Sequence, residues 1–338
     1  MTQNRTYTIQ PGKGVAGLQL EDRPVPTPGR GQVLLRMKAF SLNFRDLLMV
    51  DGLYPVAMPE RVVPLSDGAG EIVELGEGCN RLAVGDRVCP IFMQSWIGGD
   101  MADADAGSAL GGGIDGVLAE YIVVDEAGLV RIPAHMSYAD ASTLPCAAVT
   151  AWNALYGKEP IQPGSTVLAL GTGGVAIWAL QLAKAGGAKV IITTSSDAKG
   201  ERASAMGADH VVNYAKDADW GASVRALTGG RGVDKVVDSA GPGTMAQTMA
   251  ALRRGGEIAM VGVIAQGTID PLAILVSGLL VRGIMVGSRQ HFENLAAALE
   301  THGIAPVIDR SFPFEKAGDA FEYLRKASHL GKVVIELG

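Results

Sequence analysis

Short apolar runs dominate roughly the first 130 residues of the chain. The runs QVLLRMKAF, EIVEL, DRVCPIF and AEYIVV are typical of β-strands, and clusters of Pro, Gly and Asp separate them. This pattern predicts a small, irregular, barrel-like β domain. A stretch rich in Gly, Ala and Asp, WIGGDMADADAGSALGGGIDG, interrupts the strands and predicts a surface loop.

The pattern changes near Thr143, where strand and helix signals begin to alternate. Apolar strand-like runs (TVLAL, KVIITT, HVVNY, DKVVDSAG, EIAMVGV) alternate with helix-like segments (GVAIWALQLAKAGGA, DAKGERASAMG, ASVRALTGG, TMAQTMAALRRGG). Such alternation predicts a doubly wound parallel sheet and an α/β fold. In the first helix, Val175, Trp178, Ala179 and Leu182 form one apolar stripe that we expect to pack on the sheet. After RGIMVG the chain returns to mixed elements, with two helix-like segments and a last strand, KVVIEL.

One apolar run, PLAILVSGLLV from Pro271 to Val281, is too short to span a bilayer. We expect a buried helix that leads into a strand. The extended run AILVSGLLVRGIMVG would place a hydrophobic strand at the far edge of the sheet, where an uncovered edge invites pairing.

The segment GTGGVA directly follows the strand TVLAL and begins a helix. Gly171, Gly173 and Ala176 match a GxGxxA dinucleotide-binding pattern, with Gly174 and Val175 between them. The first glycine permits a tight turn, the second allows a pyrophosphate to approach the backbone, and the small third residue allows helix and strand to pack closely. The free N–H groups at the helix N-terminus favour phosphate binding. The sequence therefore predicts a dinucleotide site here.

About twenty residues further on, the strand VIITT ends without the acidic residue that usually binds the ribose hydroxyls of NAD. Ser195, Ser196 and Lys199 offer hydroxyl groups and a cation to a 2′-phosphate instead. Asp197 is expected to face solvent or cap the following helix. This charge pattern favours NADPH over NADH.

Composition and charge narrow the function further. The net charge is −6, 48% of residues are hydrophobic and 19% are charged, so we expect a sizeable core and no nucleic-acid-binding surface. The three cysteines form no CxxC pair, and the N-terminus has no apolar signal segment, so a reduced, cytoplasmic location without membrane association is expected.

Motifs along nearly the whole chain resemble the medium-chain dehydrogenase/reductase superfamily. They include NFRD, PLSDGAGEIVELGEG, VGDRV, DGVLAEYIVV, LPCAAVTAWNAL, GTGGVA, MGADHVVNY and GKVVIEL. The resemblance implies a GroES-like catalytic domain in residues 1–146, a Rossmann domain in 147–286 and a return to the catalytic domain in 287–338, with the active site in the cleft between the domains.

Zinc enzymes of that superfamily bind catalytic zinc through Cys, His and Cys, with a Glu nearby. The aligned residues here are Asn43, then Leu65, Ser66 and Asp67 for Gly-His-Glu, and Cys146. The segment aligned with the structural zinc lobe contains no cysteine. Because one thiol and no histidine cannot provide a three-ligand site, we expect no metal and a buried, apolar role for Cys146. The chain most resembles the zinc-free, quinone-oxidoreductase-like and zinc-independent alcohol-dehydrogenase-like branch.

The same resemblance implies positions for further cofactor-binding residues. It places Ser195, Lys199 and Tyr214 around the 2′-phosphate, Thr150, Val263 and Ile264 along the nicotinamide half, Ser288 and Arg289 at its edge, and Lys332 near the pyrophosphate.

The candidate catalytic residues are Asn43, Arg45 and Tyr54, which would polarise a carbonyl or donate a proton in place of a metal. Each also has a structural interpretation. Asn43 could cap a turn, Arg45 could pair with Asp46 or Asp67, and Tyr54 could only line the cavity.

The predicted function is NADPH-dependent, metal-free hydride transfer to a quinone, enone or related carbonyl. Two alternatives stay open at this point: a zinc-independent NAD(P)-dependent alcohol dehydrogenase, and a nucleotide-binding protein with a structural or regulatory role. A homodimer is expected, because the resemblance pairs the edge strand with its two-fold mate.

Overall fold

The structure, a computed structural model, describes residues 3–55, 58–262 and 266–338. The chain divides into two compact units: residues 1–149 together with 287–338 form unit 1, and residues 150–286 form unit 2. The boundaries predicted from the sequence, after residues 146 and 286, lie within three residues of these divisions. Among the described residues, no helix is long and apolar enough to cross a bilayer.

The strands are β1 (Gln3–Thr8), β2 (Gln19–Pro24), β3 (Gln32–Leu42), β4 (Asp67–Leu75), β5 (Arg87–Pro90), β6 (Tyr121–Asp125), β7 (Leu129–Arg131), β8 (Thr166–Ala169), β9 (Lys189–Thr194), β10 (His210–Asn213), β11 (Val233–Asp238), β12 (Leu252–Met260), β13 (Leu280–Gly283), β14 (Ile308–Pro313) and β15 (Lys332–Glu336).

The helices are α1 (Phe44–Val50), α2 (Asp103–Ala106), α3 (Tyr138–Ser142), α4 (Val149–Tyr156), α5 (Gly174–Ala185), α6 (Asp197–Ala205), α7 (Trp220–Leu227), α8 (Met245–Ala251), α9 (Pro271–Ser277), α10 (Arg289–His302) and α11 (Ala317–Arg325). A π-helical turn at Leu144–Ala148 leads directly into α4.

Unit 2 contains a parallel sheet with the strand order β10-β9-β8-β11-β12-β13. This order confirms the predicted doubly wound α/β fold. The chain leaves β8 towards β9 on one side and later crosses to β11 on the other, so the strand order reverses at β8. Ligands of such sheets bind beyond the carboxyl ends of the strands at this switch point. The glycine-rich turn after β8 lies there.

Unit 1 contains a mainly antiparallel sheet ordered β14-β15-β3-β4-β5-β7, in which β6 also pairs with β3. The register pairs Ser41 with Asp67 and Leu42 with Val333. It therefore brings together the end of β3, the start of β4 and the start of β15. This meeting point contains several of the candidate catalytic residues.

The helix α9 corrects one sequence prediction. It forms at the predicted place, but it is not buried: the exposed fractions are 61% for Leu272, 76% for Leu275 and 58% for Val276. The physical reason is its position, because α9 leads into β13, the edge strand of the sheet. The apolar composition of the run predicts burial, but no described part of the chain covers the side chains of Leu272, Leu275 and Val276.

Two helix predictions and the loop also differ in detail. The helix α8 ends at Ala251, and the residues LRRGG that were predicted to close it begin β12, in which Leu252 pairs with Val233 of β11 before the register shifts. The helix α5 is buried well beyond its predicted stripe, while Val175 itself is half-buried. The predicted surface loop contains the short helix α2.

Candidate active site

The turn after β8 has the geometry of a phosphate-binding loop. Gly171 has a φ of 81°, which favours glycine, and its N–H donates to Thr193 Oγ1 at 3.0 Å. A Cβ added to Gly173 would meet no atom within 4 Å, so open space lies beside the backbone. Gly173 also precedes Gly174 and Val175, the first residues of α5, and provides no capping side chain for their N–H groups. The turn therefore fits a dinucleotide pyrophosphate.

Thr193 was not identified from the sequence, although its hydroxyl anchors the phosphate turn. It lies in β9, next to β8, and is buried. The signal was present in the two threonines that end this strand, but their hydrogen-bond partners depend on strand pairing.

The end of β9 has no acidic side chain. Thr194 and Ser196 hydrogen-bond to each other at 3.2 Å, and Ser196 Oγ caps α6 by accepting from the Lys199 N–H at 3.5 Å. Ser195 is exposed and Lys199 is half-buried. These groups lie at the strand end where the sequence predicted them.

Asp197 is the carboxylate nearest this strand end in the sequence. It accepts hydrogen bonds from Lys216 and from Asn213 Nδ2, the latter at 2.7 Å. These bonds lower the pKa of Asp197, which therefore carries a paired negative charge. Asp197 is exposed, as one of the two sequence expectations stated, and Ser196 rather than Asp197 caps α6.

Tyr214 follows β10 and lies beside the end of β9. Its N–H donates to the Thr194 carbonyl at 2.9 Å, and its exposed fraction is 45%. The structure thus brings Tyr214 next to the serines of the strand end. Its contact with a 2′-phosphate stays a prediction.

The residues expected near the nicotinamide are more scattered. Thr150 is buried in α4 of unit 2. Ser288 caps α10 in unit 1, and Arg289 donates to the Ala127 carbonyl at 2.9 Å and lies 3.2 Å from Glu293. These partners belong to unit 1 itself, so the nicotinamide contacts stay predictions. Val263 and Ile264 lie outside the described residues.

Lys332 lies at the start of β15 in unit 1. Its ammonium is buried in unit 1, with an exposed fraction of 3%. Nζ donates to the Leu42 carbonyl at 2.7 Å and to Asn43 Oδ1 at 2.5 Å, and it lies 3.8 Å from Asp67 Oδ2. The contact between Lys332 and a pyrophosphate stays a prediction.

Asp67 is fully buried beside Lys332. Its carboxylate accepts from Ser66 Oγ at 2.8 Å and from the Cys146 N–H at 3.2 Å. Burial raises the pKa of Asp67, while the charge of Lys332 and the amide of Asn43 act in the opposite direction. Leu65, just before this pair, adopts a φ of 69°, which is rare for a residue with a side chain.

The donor set here does not suit zinc. Burial, followed by the negative charge of Asp67, raises the pKa of the Cys146 thiol far above its ordinary value, so the thiol is neutral. Asn43 and Ser66 provide an amide and a hydroxyl rather than thiolate or imidazole. In the ranges that the structure describes, no three His, Cys, Asp or Glu side chains are close enough to hold a metal ion.

Arg45 lies between two aromatic rings in the same unit. Its guanidinium carbon is 4.6 Å from the centre of the Phe92 ring and 5.1 Å from that of Tyr54. Nη1 donates to the Leu110 carbonyl at 3.1 Å, whereas Nε and Nη2 are buried without a hydrogen-bond partner among the described residues. The structure therefore brings two candidate catalytic residues, Arg45 and Tyr54, into contact.

Asp46 links Arg45 to Asn43. Its Oδ2 accepts the Asn43 N–H at 2.7 Å, and its Oδ1 lies 3.6 Å from Arg45 Nη1. Burial raises the pKa of Asp46 to about 6, although the Arg45 charge opposes this shift. Asn43 thus connects two ionic pairs, one with Arg45 and Asp46 and one with Lys332 and Asp67.

Comparisons with known proteins agree with this fold and turn. The family model described as "Alcohol dehydrogenase GroES-like domain" matches residues 29–134, and the model described as "Zinc-binding dehydrogenase" matches residues 174–301. The second segment contains none of the residues aligned with catalytic zinc ligands.

Three similar proteins cover nearly the whole chain. A "Zinc-type alcohol dehydrogenase-like protein" of Schizosaccharomyces pombe is 41% identical over 96% of both chains. The "Quinone-oxidoreductase QR1, chloroplastic" of Triphysaria versicolor is 29% identical over 96% of this chain and 95% of its own. A solved structure titled "NAD-dependent alcohol dehydrogenase" is 32% identical, with a TM-score of 0.90 over 99% of this chain and 100% of the other.

The matches to both domain models and the full-length similarity together assign the chain to one protein family. The chain belongs to the medium-chain dehydrogenase/reductase superfamily and is an NAD(P)-dependent oxidoreductase of that superfamily.

Proposed function

We propose that this protein is an NADPH-dependent, metal-free reductase of quinones, enones or related conjugated carbonyls. The observation that carries the proposal is the donor set of unit 1. Asn43, Ser66 and a neutral Cys146 stand where zinc enzymes of the superfamily have ligands, and a lysine ammonium contacts Asn43. Such a site offers hydrogen bonds to an acceptor rather than a Lewis acid.

Bound NADPH would supply a hydride, and the acceptor would gain that hydride and one proton while NADP⁺ is formed. The protein must then stabilise negative charge on the acceptor oxygen. The buried Nε and Nη2 of Arg45 and the hydroxyl of Tyr54 are candidate donors for this task, and water or Tyr54 would supply the proton. A conjugated acceptor spreads its charge, so it needs less electrophilic help than a simple ketone.

The preference for NADPH is supported by the end of β9. No carboxylate there opposes a 2′-phosphate, and the charge of Asp197 is paired with Lys216. Ser195, Ser196, Lys199 and Tyr214 are proposed to surround the phosphate.

A second candidate is metal-independent oxidation of an alcohol; the names of two similar proteins favour the alcohol as substrate, although one of them is a zinc-type protein by name. The two candidates differ in the reaction they catalyse fastest. We therefore suggest a panel of quinones, enones, aldehydes and alcohols with both cofactors. Quinone or enone reduction with NADPH is expected, whereas turnover of alcohols alone would replace this proposal. No turnover across the panel would favour a non-catalytic nucleotide-binding role.

Replacing Tyr54 by Phe separates proton donation from cavity shape. If Tyr54 donates the proton, the variant should have a lower kcat with the best acceptor of the panel. An unchanged kcat would leave Tyr54 as a wall of the cavity and water as the donor.

We also propose a homodimer formed through the edge of the unit 2 sheet. The exposed apolar residues Leu272, Leu275 and Val276 of α9 and Leu280 of β13 support this assembly. Light scattering at micromolar concentration should give twice the chain mass, and a monomeric mass would contradict the dimer.

A further inference from the structure

The Lys332 side chain contacts, and so connects, the segments of unit 1 that carry the candidate catalytic residues. It is the first residue of β15, and its ammonium contacts the last residue of β3, the residue that precedes α1 and the first residue of β4. Asp67 in turn accepts from the backbone of Cys146. One buried cation therefore organises all the positions that the superfamily alignment assigns to zinc binding.

The Lys332 ammonium makes two hydrogen bonds within unit 1. A lysine ammonium has three N–H donors and no acceptor. Two of these donors reach the Leu42 carbonyl and Asn43 Oδ1, and the nearest further acceptor is Asp67 Oδ2 at 3.8 Å. The third N–H therefore has no hydrogen-bond acceptor among the described residues.

The same contact fixes the orientation of the Asn43 amide. Because the ammonium can only donate, the atom that faces it must be the carbonyl oxygen Oδ1. Nδ2 then points away from Lys332, on the side where the amide helps to lower the pKa of Asp67. Nδ2 carries two N–H groups and makes no hydrogen bond of full geometry among the described residues; even with the Asp67 carboxylate on this side, at least one N–H is left without an acceptor there.

A buried donor without a partner costs free energy and is a feature of functional sites. A flip of the Asn43 side-chain amide cannot give this donor a partner, because the flip would place its N–H groups against the Lys332 ammonium. Lys332 thus keeps Nδ2 available as a donor.

We propose that Lys332 is a positioning residue that fixes the Asn43 amide, so that Nδ2 donates to the oxygen of the reduced acceptor. In this role the ammonium replaces a metal ion as the buried cation that joins the three segments. The proposal rests on the proposed reductase function.

The test compares Lys332→Met with the wild-type protein in turnover and in cofactor binding. Misplacing a donor by about 1 Å lowers turnover by on the order of 10²-fold, so kcat should fall by between about 10- and 100-fold. Affinity for 2′-phospho-ADP-ribose, which carries the pyrophosphate but no nicotinamide, should not change. Weaker binding of this probe with unchanged kcat would overturn the proposal and restore the pyrophosphate contact.

A double-mutant cycle asks whether Lys332 acts through Asn43. Asn43→Ala should lower kcat, and adding Lys332→Met should lower it little further. Additive effects of the two changes would overturn the proposal. Lys235→Met is the matched control, because Lys235 is equally buried in unit 2 and its replacement should leave kcat unchanged at temperatures where the variant is folded.

Two further measurements keep the proposal testable in every case. If Lys332→Met does not fold, Lys332→Arg keeps the charge and should give the same pattern with a smaller loss of kcat. If the wild-type protein reduces no acceptor, the proposed function fails, but the NH₂ signals of Asn43 in an NMR spectrum still report on its orientation. These signals should move and exchange faster in the Lys332 variant, and unchanged signals would contradict the positioning role.

Discussion

Each unit of this protein buries a lysine, but the two lysines have different surroundings. In unit 2, Lys235 Nζ lies 2.7 Å from Glu257 Oε2, and Arg282 Nε lies 2.9 Å from the other oxygen of the same carboxylate. Lys235 also donates to the carbonyls of Ala154 and Glu159. This buried charge is directly paired, which is the usual condition for a structural ion cluster.

In unit 1, the nearest carboxylate to Lys332 is 3.8 Å away, and its shortest contact is to the neutral amide of Asn43. Among the described residues, four buried atoms of the adjacent NFRD segment have no hydrogen-bond partner, whereas the unit 2 cluster has one such atom, Glu257 Oε2. The four are Asn43 Nδ2, Arg45 Nε, Arg45 Nη2 and Asp46 Oδ1. We conclude that the buried charge of Lys235 stabilises the fold of unit 2, whereas the buried charges around Lys332 in unit 1 leave donors for a ligand. This difference also explains why we assign substrate chemistry to unit 1.

The largest expected effect concerns the stability of the two lysine variants. Lys332→Met leaves Asp67 without a cation, and breaking a buried pair in this way costs about 3–5 kcal/mol of unfolding free energy. Lys235→Met should cost less, about 1–3 kcal/mol, because Arg282 still compensates Glu257. Urea denaturation of both variants measures the difference, and equal losses would remove the contrast between the units.

The second effect is an opposite pH dependence of two aspartates. Burial raises the pKa of Asp46 in unit 1 to about 6. Although burial also acts on Asp234 in unit 2, hydrogen bonds from Arg231, the Thr166 N–H and Arg253 lower its pKa to about 2. A raised pKa makes the native state bind its proton more tightly than the unfolded state, and a lowered pKa does the reverse.

The stability of the wild-type protein relative to Asp46→Asn should therefore fall as pH rises from about 4 to 6, by about 3 kcal/mol. Relative to Asp234→Asn, it should instead fall as pH decreases from about 4 to 2. Denaturation at a series of pH values tests both signs. A flat difference for Asp46→Asn would mean that its carboxyl is not desolvated as described.

The third effect concerns the 2′-phosphate contacts that we propose at the end of β9 in unit 2. Lys199→Ala should weaken NADPH binding by about 1.5–3 kcal/mol, the range for a hydrogen bond to a charged group, and leave NADH nearly unaffected. Fluorescence titration with each cofactor measures this, and Lys189→Ala, which removes an exposed lysine at the opposite end of β9, serves as the control. Equal titration curves of the wild-type protein for NADPH and NADH would contradict the cofactor preference.

The two units also differ in how much the sequence could predict. The phosphate turn was predictable because its signal is local: glycines, a preceding strand and a following helix lie within a few residues. The Lys332–Asn43 contact joins residues 289 positions apart, and only the pairing of β15 with β3 brings them together. The sequence could therefore identify Asn43 and Arg45 as candidates and Asp46 as an alternative partner of Arg45, but not the contacts that Lys332 makes with Asn43 and Asp67.

The apolar run of α9 shows a different limit. Its composition predicted burial, yet Leu272, Leu275 and Val276 are exposed in the single chain. An apolar composition predicts that a surface is removed from water. It does not predict whether the same chain or a second copy covers that surface.

The central claim is that unit 1 supports hydride transfer without a metal ion. Its most direct test is the rate of NADPH oxidation with a small quinone, measured before and after exhaustive chelation, with elemental analysis of the same sample. We predict an unchanged rate and no stoichiometric zinc. A rate that is lost on chelation and restored by added zinc would contradict the account.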